Sequence, residues 1–360
     1  MTSKQRVKAA IKRQPVDRLP IFMWFHPEMT QILGKILEIP ANKVAIAMGN
    51  DVCQRWVANN HPMEGIVHKN EGDTHIDEWG IKWGRYNGFN QIMHYPLRGA
   101  SEKEIAEYRF PHDKIDDLLK NMDILAPFID DYYIGCDISP CLFEALFRLM
   151  GMEEAMMGIA LQESYYLDLL QRCVDFHVEL ADRACRNYRI DWLWTGDDVG
   201  CQRGMMLDPD IWREVVKPHL KQLLDVGKQH GLTVAYHSCG GIRPIIPDLI
   251  EIGVEVLNPI QCDCPGMESL KLKEDFGKHL TFMGGVDTIG LLPNGTVDEV
   301  RRETRRLIDG MTGDGGGYIL AASHTVPPET PLENVFAMYH EAGLTKEKIF
   351  DTAANIRRGS

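Results

Sequence analysis

The stretch LTVAYHSCGGIRPIIPDLIEIGVEVLNPIQ, residues 232–261, holds one complete structural unit. Leu232–Tyr236 is a short β-branched and aromatic run, Ile242–Ile252 repeats apolar residues at helical spacing, and Val254–Leu257 is a second apolar run. A strand, a helix and a strand joined by short links imply parallel neighbours, because parallel pairing needs a crossover connection.

The same rhythm extends on both sides. Further strands are predicted at Asp191–Thr195, Leu280–Met283 and Tyr318–Ala321, and helices at Pro209–His230, Met267–Phe276, Val297–Met311 and Leu332–Ala342. Asp208-Pro209 supplies an N-cap with proline in the first turn, and Gly231 closes that helix with a residue that accepts positive φ. Thr296 followed by Glu299 reads as a capping box. The first half opens with an amphipathic helix, Lys4–Lys12, and an apolar strand, Leu19–Trp24; a strand at Tyr132–Cys136 and a helix at Leu142–Met150 come later. Residues 61–98 break the rhythm, and the alternation in Ile76–Trp83 points to β-hairpins. No Gly/Ser or Pro-rich linker interrupts the chain. The expected fold is one α/β domain over residues 1–360, a (β/α)8 TIM barrel with an inserted β-hairpin subdomain at 61–98.

Composition removes several classes of function. The 360 residues carry 39 Lys and Arg against 52 Asp and Glu, a formal charge of −13. Such a balance offers no electrostatic footprint for a nucleic-acid backbone and disfavours an anionic membrane surface. No apolar run approaches the roughly 18 residues of a transmembrane helix, and the charged N-terminus lacks the apolar centre of a secretory signal. The nine cysteines form no regular framework, which suits reduced thiols in the cytoplasm.

In a parallel barrel the functional groups gather where strands end. The residues following the predicted strands are His26, Cys136-Asp137, Asp197-Asp198, His237-Ser238-Cys239, Gln261-Cys262-Asp263-Cys264, Asp287 and His324. Metal-ligand types recur there. His237-x-Cys239 is the sharpest signal, since an imidazole nitrogen and a thiolate from one turn can face one ion at about 2.0–2.3 Å. A third ligand from another loop completes a catalytic zinc site, with His324, Cys262 and Cys264 as the candidates; for Cys262 and Cys264 the preferred reading is two buried or turn thiols. Adjacent carboxylates on extended backbone point to opposite sides, so one of Asp197 and Asp198 faces the site, as a catalytic or ligand-orienting group, and the other caps the loop or pairs with Arg203. Trp24, Trp79, Trp83, Tyr86 and His26 form either a lid over a flat substrate or the small core of the hairpins. Gln261 and Asp287 complete the candidate substrate-binding set.

The segments RVKAAIKRQPVDRLPI, DEWGIKW, DDVGCQRGMMLDPDIWREVVKPHLKQL, AYHSCGGIRPIIPDLIEIGVEVLNPIQ, LTFMGGVDT and HTVPPETPLENVFAMY span nearly the whole chain and resemble the uroporphyrinogen decarboxylase-like superfamily. That resemblance implies a (β/α)8 barrel. The decarboxylases carry an R-Q-A-G-R stretch after R-x-P; here Arg18-Leu19-Pro20 is followed by no arginine until Arg55, which removes the natural receptors for a polycarboxylate porphyrinogen. The other branch of the superfamily comprises zinc-dependent methyltransferases that work with a corrinoid (cobalamin) cofactor on a partner protein. By resemblance, His237 and Cys239 are two zinc ligands. The third, a cysteine in thiol-methylating members, is His324 here. One thiolate and two histidines leave a site of charge near +1, a Lewis acid suited to a neutral ether oxygen. The resemblance therefore implies a methyltransferase moving a methyl group from a small methylated substrate to a corrinoid protein, with O-demethylation of a methoxylated aromatic favoured. The alternatives are decarboxylation of a tetrapyrrole or small acid, methylcorrinoid-to-thiol or folate transfer, and a non-catalytic binding barrel. A homodimer is compatible with the sequence.

Overall fold

The structure is a computed structural model of the chain and describes residues 1–58, 68, 70–86 and 89–359. Expectations for 61–67, 69, 87 and 88, inside the inserted region, lie outside the described residues. In chain order the strands are β1 (Val52–Trp56), β2 (Thr74–Ile76), β3 (Lys82–Tyr86), β4 (Phe89–His94), β5 (Tyr133–Asp137), β6 (Trp192–Gly196), β7 (Gly200–Cys201), β8 (Gly204–Met205), β9 (Thr233–His237), β10 (Val256–Ile260), β11 (Thr281–Val286) and β12 (Tyr318–Ala322). Parallel strands alternating with helices, with an antiparallel insert, make this an α/β fold of the (β/α)8 TIM-barrel class with an inserted β-hairpin subdomain. The chain divides into two compact units, residues 1–53, 128–133 and 255–360, and residues 54–127 and 134–254.

In the first unit β10, β11 and β12 run parallel, with Val256 opposite Thr281 and Phe282 opposite Tyr318. Their side chains are buried, as expected for strands covered on both faces. The expected strand at Leu19–Trp24 is shorter than predicted. It runs beside β12, where Phe22 N–H donates to the Leu320 carbonyl at 3.0 Å and Val326 N–H to that of Trp24 at 2.9 Å, but only isolated bridges form, at Ile21 and Phe25. Pro20 has no N–H to give, and Pro27 already opens the helix Pro27–Leu37, which leaves no room for a longer ladder. The fully buried Asp51 anchors this end: it accepts from Arg6 Nη1 at 2.5 Å, Arg18 Nη1 at 2.7 Å and the Ile21 N–H at 2.9 Å.

In the second unit β5, β6 and β9 run parallel, Gly135 opposite Trp192 and Gly196 opposite His237. The 24-residue helix Ser164–Asn187 buries Leu169, Cys173, Phe176, Leu180 and Ala184 at helical spacing. The predicted helix Pro209–His230 is broken into Pro209–Ile211, a π-helical turn at Trp212–Val216, and Lys217–Gln229. Pro218 lacks an N–H, and the wider turn before it absorbs the missing bond. The hairpins appear as the antiparallel sheet β2-β3-β4. Among the described residues no helix is long and apolar enough to cross a membrane.

Candidate metal centre

β6 delivers Asp197 and Asp198, and β9 delivers His237 with Ser238 and Cys239. The register holds the two ends together, Asp197 N–H donating to the His237 carbonyl at 3.0 Å. The paired carboxylates point apart, as extended backbone requires. Asp197 is fully buried and accepts from the Glu144 and Phe143 N–H groups at 2.7 and 3.1 Å, at the N-terminus of the helix Phe143–Met150. Burial pushes its carboxyl up to about 8, with the neighbouring Glu144 adding to the push, against those two N–H groups, which favour the charged form.

Asp198 turns the other way. Its Oδ1 accepts from the Cys239 N–H at 2.8 Å and lies 3.6 Å from His237 Nε2, which in turn is 3.5 Å from Cys239 Sγ. One donor atom from each of the three residues lies within 4.8 Å of the others.

Two loops must approach closely for this. Ser238 Oγ accepts from the Val199 N–H at 3.1 Å, and Gly241 N–H donates to the Cys201 carbonyl at 3.0 Å. At Gly240, whose φ is +83°, a Cβ would lie 2.3 Å from the Cys201 backbone nitrogen, so no other residue fits without displacing the β6 loop. The glycine after H-x-C is thus part of the site's construction.

An imidazole nitrogen, a thiol sulphur and a carboxylate oxygen from a strand-end pair form a donor set that zinc accepts. Among the described residues this is the group of His, Cys, Asp and Glu side chains that can share one ion. Asp198, read in the sequence as one of a pair with a catalytic or ligand-orienting role, stands here beside His237 and Cys239. His324, Cys262 and Cys264 belong to the other unit. His324 is exposed just beyond β12, and Cys264 is buried. Cys262, its thiol pushed up to about 11 by burial, donates to the Gly285 carbonyl at 3.5 Å and lines a cavity of about 430 Å³ with Ser269, Asp287 and Thr304.

Glu144 escaped the sequence analysis. Its Oε1 accepts from Arg148 Nη2 at 2.6 Å, and both side chains are largely buried, at 15% and 13% exposure. Burial raises the Glu144 carboxyl above its ordinary range; Arg148 opposes this, while the charges of Asp198 and His237 also act on it. The i, i+4 spacing signalled only a surface pair.

The remaining predicted residues have definite places. Trp79 and Trp83 are buried in the inserted subdomain, where Trp83 Nε1 donates to Asp77 Oδ2 at 2.7 Å and the Trp79 and Ile81 N–H groups bond Asp77 Oδ1. Tyr86 is exposed. Trp24, half-buried, meets Phe22 edge to face. His26 caps the helix Pro27–Leu37, its Nδ1 accepting the Glu28 N–H at 3.3 Å. Gln261 is buried, and the Asp287 carboxylate accepts the N–H groups of Ile289, Gly290 and Leu291.

The family description uroporphyrinogen decarboxylase (URO-D) matches residues 109–343, and the chain belongs to that family. Within it, the chain is 22% identical over 350 residues to the methylcobamide:CoM methyltransferase MtbA of Methanosarcina mazei, covering 94% of this chain and 96% of that protein. It is 24% identical over 254 residues to a uroporphyrinogen decarboxylase of Thermus thermophilus, covering 68% of this chain and 69% of that one. The solved structure of a methyltransferase from Methanosarcina mazei shares the fold at a TM-score of 0.65 and 19% identity, covering 95% of this chain and 98% of that chain.

Proposed function

We propose that this chain is a zinc-dependent methyltransferase that exchanges a methyl group with a corrinoid carried on a partner protein. The observation that carries the reading is the convergence of Asp198, His237 and Cys239 at the ends of β6 and β9. The near full-length similarity to a methylcobamide:CoM methyltransferase supports it. Zinc held there supplies Lewis acidity, which favours the anionic form of the atom that gives or takes the methyl group.

The protein's own groups do the rest. Cys239 and His237 present sulphur and nitrogen from a single turn, and Asp198 fixes that turn by accepting the Cys239 N–H. Asp197 holds the helix carrying Glu144 against the site from behind. The result is a constellation held by backbone bonds, which keeps its donors in place before any substrate arrives.

The donor set also bears on the methyl partner. One thiolate, one carboxylate and a neutral imidazole around a divalent ion sum to zero charge, which suits a thiol acceptor, and we favour methyl transfer between the corrinoid and a small thiol. O-demethylation of a methoxylated aromatic is the second reading. It rests on His324, which stands where thiol-methylating members have cysteine; His237, Cys239 and His324 would leave a charge near +1 and suit an ether oxygen. A reducing, cytoplasmic setting belongs to the same proposal, since the nine cysteines are thiols and not disulfides among the described residues.

Metal analysis of protein purified without chelator should find about one zinc per chain, abolished in His237→Ala and Cys239→Ala. With zinc present, a panel of small thiols with methylcobalamin, and of methoxylated aromatics with reduced cobalamin, separates the two readings. A chain that never retains zinc yet releases carbon dioxide from a porphyrinogen would overturn both.

A further inference from the structure

The first unit holds a cavity that the donor cluster does not use. Its volume of about 430 Å³ is that of a small-molecule site, and its lining comes from the end of β11 and from the helices Ser269–Phe276 and Val297–Thr312. The β11 side is built around Gly285, at φ +96°, where a Cβ would lie 2.9 Å from Ser269 Oγ and 3.3 Å from Leu307 Cδ2; glycine keeps that space open. The Gly285 carbonyl accepts from Cys262 Sγ at 3.5 Å. Two hydroxyls line the cavity without a hydrogen bond among the described residues: Ser269, at 8% exposure, and Thr304, at 1% with its Oγ1 enclosed. Buried polar groups are nearly always paired, so these two point to a ligand that brings polar groups of its own.

Charge selects the class of that ligand. Glu268, Asp287 and Glu303 line the cavity against one cation, Arg306, which Glu303 already holds at 2.8 Å. Asp287 is met by three backbone N–H groups, and neither it nor Glu268 has an ion-pair partner among the described residues. The N-terminus of the helix Ser269–Phe276 offers an anion only about half a positive charge, less than the formal excess of two carboxylates. Leu270, Leu291 and Leu307 add apolar surface to the same walls. We propose that this cavity binds a small organic ammonium ion, which donates to the Ser269 hydroxyl within the field of Glu268 and Asp287 and lays its alkyl body along the three leucines. A cation so placed meets an acceptor and a counter-charge at once, and its hydrocarbon leaves water. The site stands apart from the proposed zinc chemistry and needs no metal.

The test is calorimetric titration of the full chain with hexylammonium, hexanol and hexanoate at one ionic strength, three probes with the same body and different charge. Hexylammonium should bind in the millimolar range or tighter, hexanol at least about tenfold more weakly, and hexanoate more weakly still. Glu268→Gln, at an exposed position, should weaken hexylammonium about threefold, and Ser269→Ala about fivefold, both with the fold intact by circular dichroism. Gly285→Ala, which sets a methyl group against Ser269, should weaken it at least about tenfold; if that variant fails to fold, the other two still decide. Hexanol or hexanoate binding as tightly as hexylammonium, no binding of hexylammonium at millimolar concentration, or an affinity unchanged in both Glu268→Gln and Ser269→Ala overturns this inference. Zinc enters none of these titrations, so a chain that binds no zinc overturns the proposed function and leaves this inference standing.

Discussion

His177 offers a quantitative test of how the second unit is packed. It lies in the helix Ser164–Asn187 at 2% exposure, with Nδ1 donating to the Cys173 carbonyl at 2.8 Å. Burial pushes its imidazole down from 6.5 to about 4, only partly offset by hydrogen bonds to the Cys173 and Pro140 carbonyls. Between those two pH values the unfolded chain takes up a proton that the folded chain refuses. Stability from this group is thus fully present above pH 6.5 and lost as pH falls through 4. Linkage over that window gives a loss of about 3 kcal/mol between pH 7.5 and pH 4. His177→Gln keeps an amide N–H for the Cys173 carbonyl but cannot titrate. At pH 7.5 it should cost roughly 1–2 kcal/mol in lost packing and hydrogen-bond geometry. At pH 4 the wild type should have fallen by about 3 kcal/mol relative to the variant, so the order of stability reverses. Urea unfolding of both proteins at pH 7.5, 6, 5 and 4 measures the difference directly, since every other titrating group is common to both. A difference that stays constant across this range would refute the buried, neutral imidazole.

Four other substitutions probe three separate joints. Asp51→Asn leaves Arg6 and Arg18 without their buried carboxylate and should cost about 3–5 kcal/mol in urea unfolding, whereas Asp17→Asn, at the exposed end of the same network, should cost no more than about 1 kcal/mol. Gly240→Ala forces a Cβ against the Cys201 backbone and should lower stability by at least about 2 kcal/mol and weaken zinc retention, measured together by unfolding and metal analysis. Cys239→Ser should lower zinc affinity by at least about 100-fold in chelator competition, while its unfolding midpoint without metal stays close to that of the wild type.

Particular residues show why parts of this molecule were legible in the sequence. The strands around the site were readable because each is a short apolar run ending in a polar cluster; β6, β9 and β12 lie within a residue or so of their predicted bounds. The capping box at Thr296 and Glu299 and the positive φ of Gly231 are local chemistry and were equally visible. The helix Ser164–Asn187 has no such start signal, since the side chain of Glu163 at its N-cap bonds none of the helix N–H groups, and its boundaries are set by tertiary burial instead. The donor cluster was half visible. His237 and Cys239 share one turn, but the role of Asp198 depends on which of two adjacent carboxylates faces β9, and only the register of β6 against β9 decides that. Glu144 and Arg148 look like an ordinary surface pair until Asp197, more than fifty residues away, draws their helix into the site. Trp79 and Trp83 fit two roles in the sequence; in the structure both are buried, Trp83 with its indole N–H on Asp77 and Trp79 edge to face with Phe176 of the helix Ser164–Asn187.

The central claim is methyl exchange with a corrinoid at a zinc site built on His237, and the cobalt spectrum reads it most directly. Zinc-loaded protein incubated anaerobically with methylcobalamin and a small thiol should convert the methyl-cobalt spectrum to that of the reduced, demethylated cofactor, with stoichiometric appearance of methylated thiol and no conversion in His237→Ala. A methyl-cobalt spectrum that stays unchanged with every thiol, while reduced cobalamin also gains no methyl group from any methoxylated aromatic, would contradict the account.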